Sequence, residues 1–168
     1  TALHFDNVEV GPSPDFIIDF LEKSGIRSIN NVVDITNFLL LFWGQPTHAF
    51  DVEFLPGKDI FVGPANEGDK FITLDGQTQK LVGNDILIKS GGNPVALGGI
   101  MGGQNSEVRD TTKSVLLEVA EFPSRVIQKT SRRLDLITDS SYRFARNIHG
   151  QDLKKVVAHG RYLFETYA

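Results

Sequence analysis

Helical spacing at both ends of the chain encloses a block of short β-rich runs. This order predicts an α+β protein with a central mixed or antiparallel β-sheet flanked by helices at both ends of the chain. Turn dipeptides support the prediction: Asp75-Gly76 and Gly91-Gly92-Asn93 fall inside the strand block, where they suit hairpins. The 168 residues are 40% hydrophobic and 23% charged, an ordinary globular composition long enough for one domain or two small ones sharing a core.

Leu3 to Val10 alternates loosely and predicts a strand. Gly11-Pro12-Ser13-Pro14 breaks it, and Ser13 is placed to cap a helix with Pro14 at its first position. Phe16, Ile17, Phe20 and Leu21 then recur at helical spacing, and Gly25 suits the C′ position. A second helix starts after Asn30-Asn31 and runs to Phe42, ended by Gly44. Its apolar Val32, Val33, Ile35, Phe38, Leu39 and Leu40 predict a mostly buried helix, in which Asp34 and Asn37 would need hydrogen-bond partners. Ile60 to Val62, Phe71 to Leu74, Asp85 to Lys89, Pro94 to Leu97 and Ser114 to Glu121 read as strands. A helix starts near Pro123-Ser124, with Val126, Ile127 and Thr130 inward and basic residues outward. The last helix, Gln151 to Tyr167, carries Leu153, Val156, Val157, Tyr162 and Leu163 at helical spacing.

Several function classes are excluded. The chain has no cysteine, so a disulfide framework, thiolate metal sites and a cysteine nucleophile are ruled out. No apolar run approaches the roughly 20 residues of a membrane helix. The formal net charge of −4 speaks against a nucleic-acid partner when read as one number. Read by position it divides. Residues 1–124 carry 8 Lys/Arg against 17 Asp/Glu, a net −9, and residues 125–168 carry 9 against 4, a net +5. The basic part is densest at Arg125, Lys129, Arg132, Arg133, Arg143, Arg146, Lys154 and Lys155. It reads either as a solvated helix surface or as a face for an anionic partner.

Each candidate motif carries two readings. Gly98-Gly99-Ile100-Met101-Gly102-Gly103 lacks the Lys-Ser/Thr ending of a phosphate loop and is not GxGxxG at a helix opening. It is either a wall against which something flat packs or a bulged strand and turn. His48, in Gly44-Gln45-Pro46-Thr47-His48-Ala49-Phe50-Asp51, is structural or catalytic. His4, His149 and His159 are scattered, so no metal site is expected. Glu118, in Leu116-Leu117-Glu118-Val119-Ala120, either faces solvent on alternation or is buried with a purpose. The hydroxyls of Thr138-Asp139-Ser140-Ser141 cap a helix or line a pocket.

In this order the motifs resemble the beta subunit of bacterial phenylalanyl-tRNA synthetase. The resembling residues are Val8-Glu9-Val10-Gly11-Pro12-Ser13-Pro14, Ile29 to Asn37, Gly44 to Asp51, Thr73-Leu74-Asp75-Gly76, Gly99-Ile100-Met101-Gly102-Gly103, Leu116-Leu117-Glu118, and Arg132-Arg133-Leu134 with Thr138-Asp139. They cover nearly the whole chain with colinear spacing. The most specific part is Asn-Asn-Val-Val-Asp-x-Thr-Asn followed by Gln-Pro-x-His-Ala-Phe-Asp. The resemblance implies the third-and-fourth-domain module of that subunit, which hydrolyses mischarged Tyr-tRNA(Phe). Residues 1–168 would then be a single editing module of two interleaved subdomains, a fragment of a larger subunit. The opening Thr-Ala-Leu-His, without Met or a signal-peptide apolar region, fits an internal boundary.

Carried over by position, the resemblance assigns catalysis to His48, Asn37 and Thr138, and substrate binding to Glu118, Gly102, Ser140 and Gly99. The glutamate position recognises the tyrosine phenol, and the positions of His48 and Asn37 lie near the scissile ester and its water. Arg132, Arg133, Arg143 and Arg146 would contact tRNA. Two positions depart from the family: Ser140 stands where alanine is usual, and Ala145 where an acidic residue is common. The implied partners are the tRNA(Phe) 3′ end carrying tyrosine and the synthetase alpha subunit, with no membrane and a cytoplasmic location. No cofactor is expected in this segment. ATP and magnesium are implied for the parent enzyme only. The alternatives are a non-catalytic structural or tRNA-contact module of the same subunit, and a free-standing trans-editing deacylase.

The chemistry suits these residue types. Tyrosine and phenylalanine differ by one hydroxyl, so a synthetic site that excludes tyrosine imperfectly needs a hydrolytic site of opposite preference. Such a site wants a buried acceptor for the phenol, which Glu118 supplies, and room for the ring, which Gly102 leaves. Ester hydrolysis needs a positioned water and oxyanion stabilisation. With no cysteine and no recognisable Ser–His–acid order, direct attack by water is expected.

Overall fold

The computed structural model describes residues 1–148 and 152–168. In chain order the elements are β1 (Ala2–Asp6), α1 (Asp15–Lys23), α2 (Asn31–Trp43), β2 (Thr47–Asp51), β3 (Phe61–Pro64), β4 (Lys70–Ile72), β5 (Thr78–Lys80), β6 (Ile86–Ser90), β7 (Asn93–Leu97), β8 (Met101–Gly102), β9 (Ser114–Val119), α3 (Ser124–Arg133), α4 (Asp139–Phe144) and α5 (Leu153–Tyr167). The α+β class holds, with helices towards both ends, and the strand pairings are antiparallel. The strands divide over three sheets. The chain forms two compact units that interleave in sequence: Thr1–Asp51, Val108–Ala120 and the C-terminal helix in one, Val52–Glu107 and Glu121–Ile148 in the other.

In the first unit the sheet order is β1-β9-β2, with β9 in the centre. Alternation along β9 sends Val115, Leu117 and Val119 into a core with Leu3, Ala49 and residues of α1, α2 and α5. Gly160 lets α5 approach closely, since a Cβ there would stand 3.1 Å from Leu117 Cδ2 and 3.3 Å from Leu39 Cδ1.

Sequence signals for α1 and α2 are met at three of their four ends. Gly25, at φ +79°, follows α1 in the left-handed conformation, and the amides of Gly25 and Ile26 bond the Glu22 and Leu21 carbonyls. Asn30 caps α2 by accepting from the Val33 amide at 2.9 Å, and Gly44 ends it at φ +68°. Ser13 does not cap α1. Pro14 holds that position, and the Ser13 hydroxyl donates to Asp34 Oδ2 at 2.5 Å instead. The fully buried Asp34 carboxylate is the stronger acceptor; it also takes the Ser28 hydroxyl at 2.5 Å and the Ile29 amide at 2.9 Å. Asn31 ties α2 to the chain ends by donating to the Glu9 and Tyr167 carbonyls and accepting from the Gly11 amide.

Other differences have local causes. The first strand stops at Asp6 because Asn7 takes φ +59°. Tyr162 is 56% exposed, since Val156, Gly160, Leu163 and Phe164 form the inner stripe of α5. The sequence placed the start of α5 at Gln151, which lies outside the described residues, as does His149.

In the second unit β3-β6-β7-β8 form one sheet and β4-β5 a separate hairpin. Gly91 and Gly92, at φ +52° and +84°, make the β6–β7 turn, and Asp75-Gly76 lies between β4 and β5. The core gathers Leu81, Leu87, Leu97, Ile100, Ile127 and Phe144. Buried Asp85 accepts from the Thr130 hydroxyl at 2.7 Å, the Val82 amide at 2.9 Å and the Arg133 guanidinium, fixing α3 on the sheet end. Strands β5 and β8 and helix α4 were not assigned from sequence; the strands are only three and two residues long and lack an apolar alternation. Among the described residues, no helix is long and apolar enough to cross a membrane.

Replacing Asp34 by Ala leaves two hydroxyls and one amide without their acceptor. A loss of about 2–3 kcal/mol in urea unfolding is expected. Replacing exposed Lys23, paired only with Asp19, should leave the midpoint essentially unchanged.

Candidate functional site

The two sequence motifs of the first unit contain many polar side chains, and most are engaged in structure. Asn30, Asn31 and Asp34 hold the start of α2. The Thr36 hydroxyl donates to the Val33 carbonyl at 2.6 Å. Buried Gln45 donates to the Pro46 and Ala120 carbonyls at 3.0 and 2.8 Å, and Asp51 accepts the Thr112 hydroxyl at 2.5 Å. Asn37, His48 and Glu118 stand apart, with no side-chain hydrogen bond to any described residue. Asn37 is half-buried on α2, which packs on the core face of the sheet, whereas His48 leaves β2 on the opposite face, so the fold does not of itself bring Asn37 to the pair.

His48 and Glu118 are brought together by sheet register. They are direct partners across β2 and β9, so their side chains leave the same face. That face is opposite the core face; next to the pair it is apolar, with Phe50 and Leu116 buried, while exposed His4 and Asp6 and half-buried Ser114 share its outer part. The His48 and Phe50 rings meet edge to face at 4.5 Å. Glu118 is 8% exposed. Desolvation pushes its carboxyl up to about 7, against a smaller downward pull from the Thr1 ammonium. The same loss of water lowers the His48 imidazole to about 4. At neutral pH His48 is therefore an uncharged acceptor or donor, and Glu118 exists in both forms. Thr47 Oγ1 is the fully shielded side-chain atom left unpartnered among the described residues, so the Glu118 oxygens keep some access.

The second unit holds the glycine cluster. Gly98 and Gly99 form the turn between β7 and β8, and the ring packed on them is the chain's own Phe122. A Cβ on Gly98 would lie 3.0 Å from the Phe122 ring, and one on Gly99 would lie 2.8 Å from it. Gly99 also needs φ +69°. Gly102 is buried in β8, and its carbonyl accepts from the Leu74 amide at 3.0 Å.

Thr138 and Ser140 are tied to this turn. Thr138 forms a reciprocal cap on α4 with Ser141, and its hydroxyl donates to the Ile100 carbonyl at 2.8 Å. Ser140 donates to the Gly99 carbonyl at 3.1 Å, a bond that accommodates the hydroxyl at this position. Gly99, Thr138 and Ser140 thus form one cluster, and the donor capacity of both hydroxyls is engaged.

The four candidate RNA-contacting arginines are not equivalent. Arg133 pairs with buried Asp85 and donates to the Lys80 carbonyl, and Arg143 pairs with Asp139 at 2.6 Å. Arg146 lies 3.4 Å over the Tyr142 ring. Arg132 is exposed and has no ion-pair partner among the described residues. No group of three His, Asp or Glu among the described residues could hold a metal ion. Leu116, two residues before Glu118, shares its face and is the local sign of its burial. Tyr142, beside these arginines, is a surface aromatic, 51% exposed.

Comparison with known proteins follows the same outline. A family model described as the B3/4 domain matches residues 1–168. The chain is 49% identical over 146 residues to the phenylalanine–tRNA ligase beta subunit of Geobacter sulfurreducens, covering 87% of this chain and 18% of that protein. It is 44% identical over 152 residues to the same subunit of Streptococcus mutans, covering 90% and 19%. The match to that of Carboxydothermus hydrogenoformans is 46% over 151 residues. The chain therefore spans less than a fifth of the length of these curated relatives.

Two predictions arise from this geometry. Glu118 holds its proton more tightly when folded, so its contribution to stability is full below pH 4.5 and is lost as pH rises through about 7. His48 holds its proton less tightly when folded, so its contribution is full above pH 6.5 and is lost as pH falls through about 4. Across the shared window the two slopes cancel. Glu118→Gln removes one of them, and relative to the unaltered chain its stability should rise by about 1.4 kcal/mol per pH unit across that window. Urea midpoints in that window provide the check, and an unchanged slope would show that Glu118 titrates normally.

Gly99→Ala combines a strained backbone with overlap on Phe122, and should destabilise the fold by about 1–3 kcal/mol. Gly11, with open space around it, is the control in the same thermal melt: Gly11→Ala should be nearly silent.

Proposed function

The chain belongs to the B3/4 domain family, and on that premise we propose that it is the hydrolytic editing module of a phenylalanine–tRNA ligase beta subunit, removing tyrosine from mischarged Tyr-tRNA(Phe). The observation that carries the reading is Glu118: a buried carboxyl, without a hydrogen-bond partner among the described residues, beside a neutral histidine and the buried apolar Phe50 and Leu116. A group of this kind is costly in a structural role and useful as a reader of one hydroxyl.

In this reading Glu118 bonds the tyrosine phenol. Phenylalanine brings no partner for it and leaves a buried polar group unpaired, which disfavours phenylalanine by about 1–3 kcal/mol. His48 is uncharged at neutral pH, with a pKa of about 4, so it is a weak proton sink and acts by orienting the attacking water. Asn37 donates to the ester carbonyl or a ribose oxygen. The water oxygen adds to the carbonyl carbon, the ester C–O bond breaks, and the ribose oxygen leaves with a proton. The resemblance also assigns substrate contacts to Gly99, Gly102, Thr138 and Ser140. With its proton held on the Ile100 carbonyl, Thr138 acts there as an acceptor.

The same reading places the module in a cytoplasmic synthetase with an alpha subunit, which ligates phenylalanine to tRNA(Phe) using ATP and magnesium. Ester hydrolysis runs downhill and needs no ATP to drive it.

The pKa of Glu118 near 7 favours one rival within the same site, in which this carboxylate is the general base and not the phenol reader. Glu118→Ala separates the two. As phenol reader, its loss lowers Tyr-tRNA(Phe) hydrolysis about 10- to 100-fold and weakens free tyrosine, measured by calorimetry, about tenfold. As base, its loss lowers hydrolysis and leaves free tyrosine affinity intact. Unchanged hydrolysis, or no tyrosine binding by a chain that still binds tRNA, would instead make this a non-catalytic module.

A further inference from the structure

Helix α3 presents Arg125, Gln128, Lys129 and Arg132 on one exposed face at helical spacing. The three cations among them have no ion-pair or hydrogen-bond partner in the described residues. This face leads into a groove of about 390 Å³ between α3 and α4. Its lining includes Arg132, Ile137, Tyr142, Ala145 and Arg146, and contains no carboxylate. Ile137 is 71% exposed and Tyr142 51%, so the groove offers two large apolar surfaces to a ligand. The Arg146 guanidinium lies flat on the Tyr142 ring at 3.4 Å and also donates to the Tyr142 carbonyl at 2.9 Å, so the stack is fixed in advance.

We propose that the α3–α4 groove binds single-stranded RNA, with a base stacked on the Tyr142–Arg146 pair and Ile137 and the backbone phosphates on Arg132, Lys129 and Arg125. Aromatic and guanidinium planes beside unpaired cations are the chemistry of single-strand recognition. The proposal rests on the editing reading and deepens it by naming where the RNA strand is held. It also divides the basic residues by role. Arg133 and Arg143 are engaged with Asp85 and Asp139 and serve the fold. Arg132 and Arg146 face the ligand.

The test uses fluorescence anisotropy of the 168-residue chain with a short labelled single-stranded RNA ending in CCA, beside an acidic peptide of equal length and charge. Tyr142→Ala should weaken RNA binding about tenfold with an unchanged salt dependence, and Tyr142→Phe should restore it. Arg132→Glu should weaken binding about tenfold and flatten the salt dependence. Arg143→Gln should change affinity less than about twofold. All four variants should keep free tyrosine binding. RNA binding insensitive to both Tyr142→Ala and Arg132→Glu would overturn the proposal. Equal or tighter binding of the acidic peptide would also overturn it, in favour of a protein partner. Failure of the editing reading is seen separately, as loss of the Glu118-dependent tyrosine affinity with the RNA results unchanged.

Discussion

The position of β9 at the centre of a three-stranded sheet constrains the whole first unit. Because Val115, Leu117 and Val119 must enter the core with α2 and α5, strand alternation forces Leu116 and Glu118 to the opposite face. Antiparallel pairing with β2 then fixes which residue meets Glu118, and the partner is His48. Neither side chain is held by a hydrogen bond of its own. Their juxtaposition follows from backbone pairing and from apolar residues two positions away, Leu116 and Phe50, that remove water from both. A slip of one residue between β2 and β9 would place Glu118 opposite Thr47 or Ala49 and dissolve the pair, while also driving core side chains out.

The polar residues surrounding this pair make the register rigid. Asp34 gathers the loop before α2, Asn31 joins α2 to both chain ends, and Gln45 and Asp51 secure the two ends of β2. These side chains dominate the sequence motifs, yet their chemistry is internal. Motif specificity and catalytic relevance therefore separate. A residue type can be demanded at a position because a buried amide or carboxylate has no other way to be satisfied. What distinguishes His48 and Glu118 is the reverse: polar groups with no side-chain hydrogen bond to a described residue, set on the face opposite the core.

The sequence shows the helices of the first unit well, because their ends carry local signals. Asn30, Gly25 and Gly44 act within a few residues of themselves. Ser13 breaks that pattern, since its partner Asp34 is 21 residues away and the competition between a cap and a buried carboxylate is tertiary. The short strands β5 and β8 were hidden for the same reason; Thr-Gln-Lys and Met-Gly owe their pairing to neighbours. The functional candidates divide similarly. The residue types at 48 and 118 were legible, and Glu118 was open between solvent and interior until sheet packing decided it. The glycine cluster proves to be the turn between β7 and β8, and the ring that packs on it, Phe122, comes from beyond β9 and gives no local sign.

Net charge shows most clearly how partnership changes meaning. Counting cations by position suggested a basic C-terminal part, yet counting alone treats Arg133 and Arg132 as equals although they are adjacent in sequence. One turns back to a buried aspartate whose three donors pin α3, and its charge is neutralised where it stands. The other points along the exposed face with Arg125 and Lys129. A polyanion responds to the unneutralised charge near its path, within about a Debye length, and not to the composition of the segment. On that criterion the chain's −4 and the segment's +5 are both uninformative. The relevant quantity is the run of free cations that ends at Tyr142, which becomes visible only when each arginine is assigned its partner.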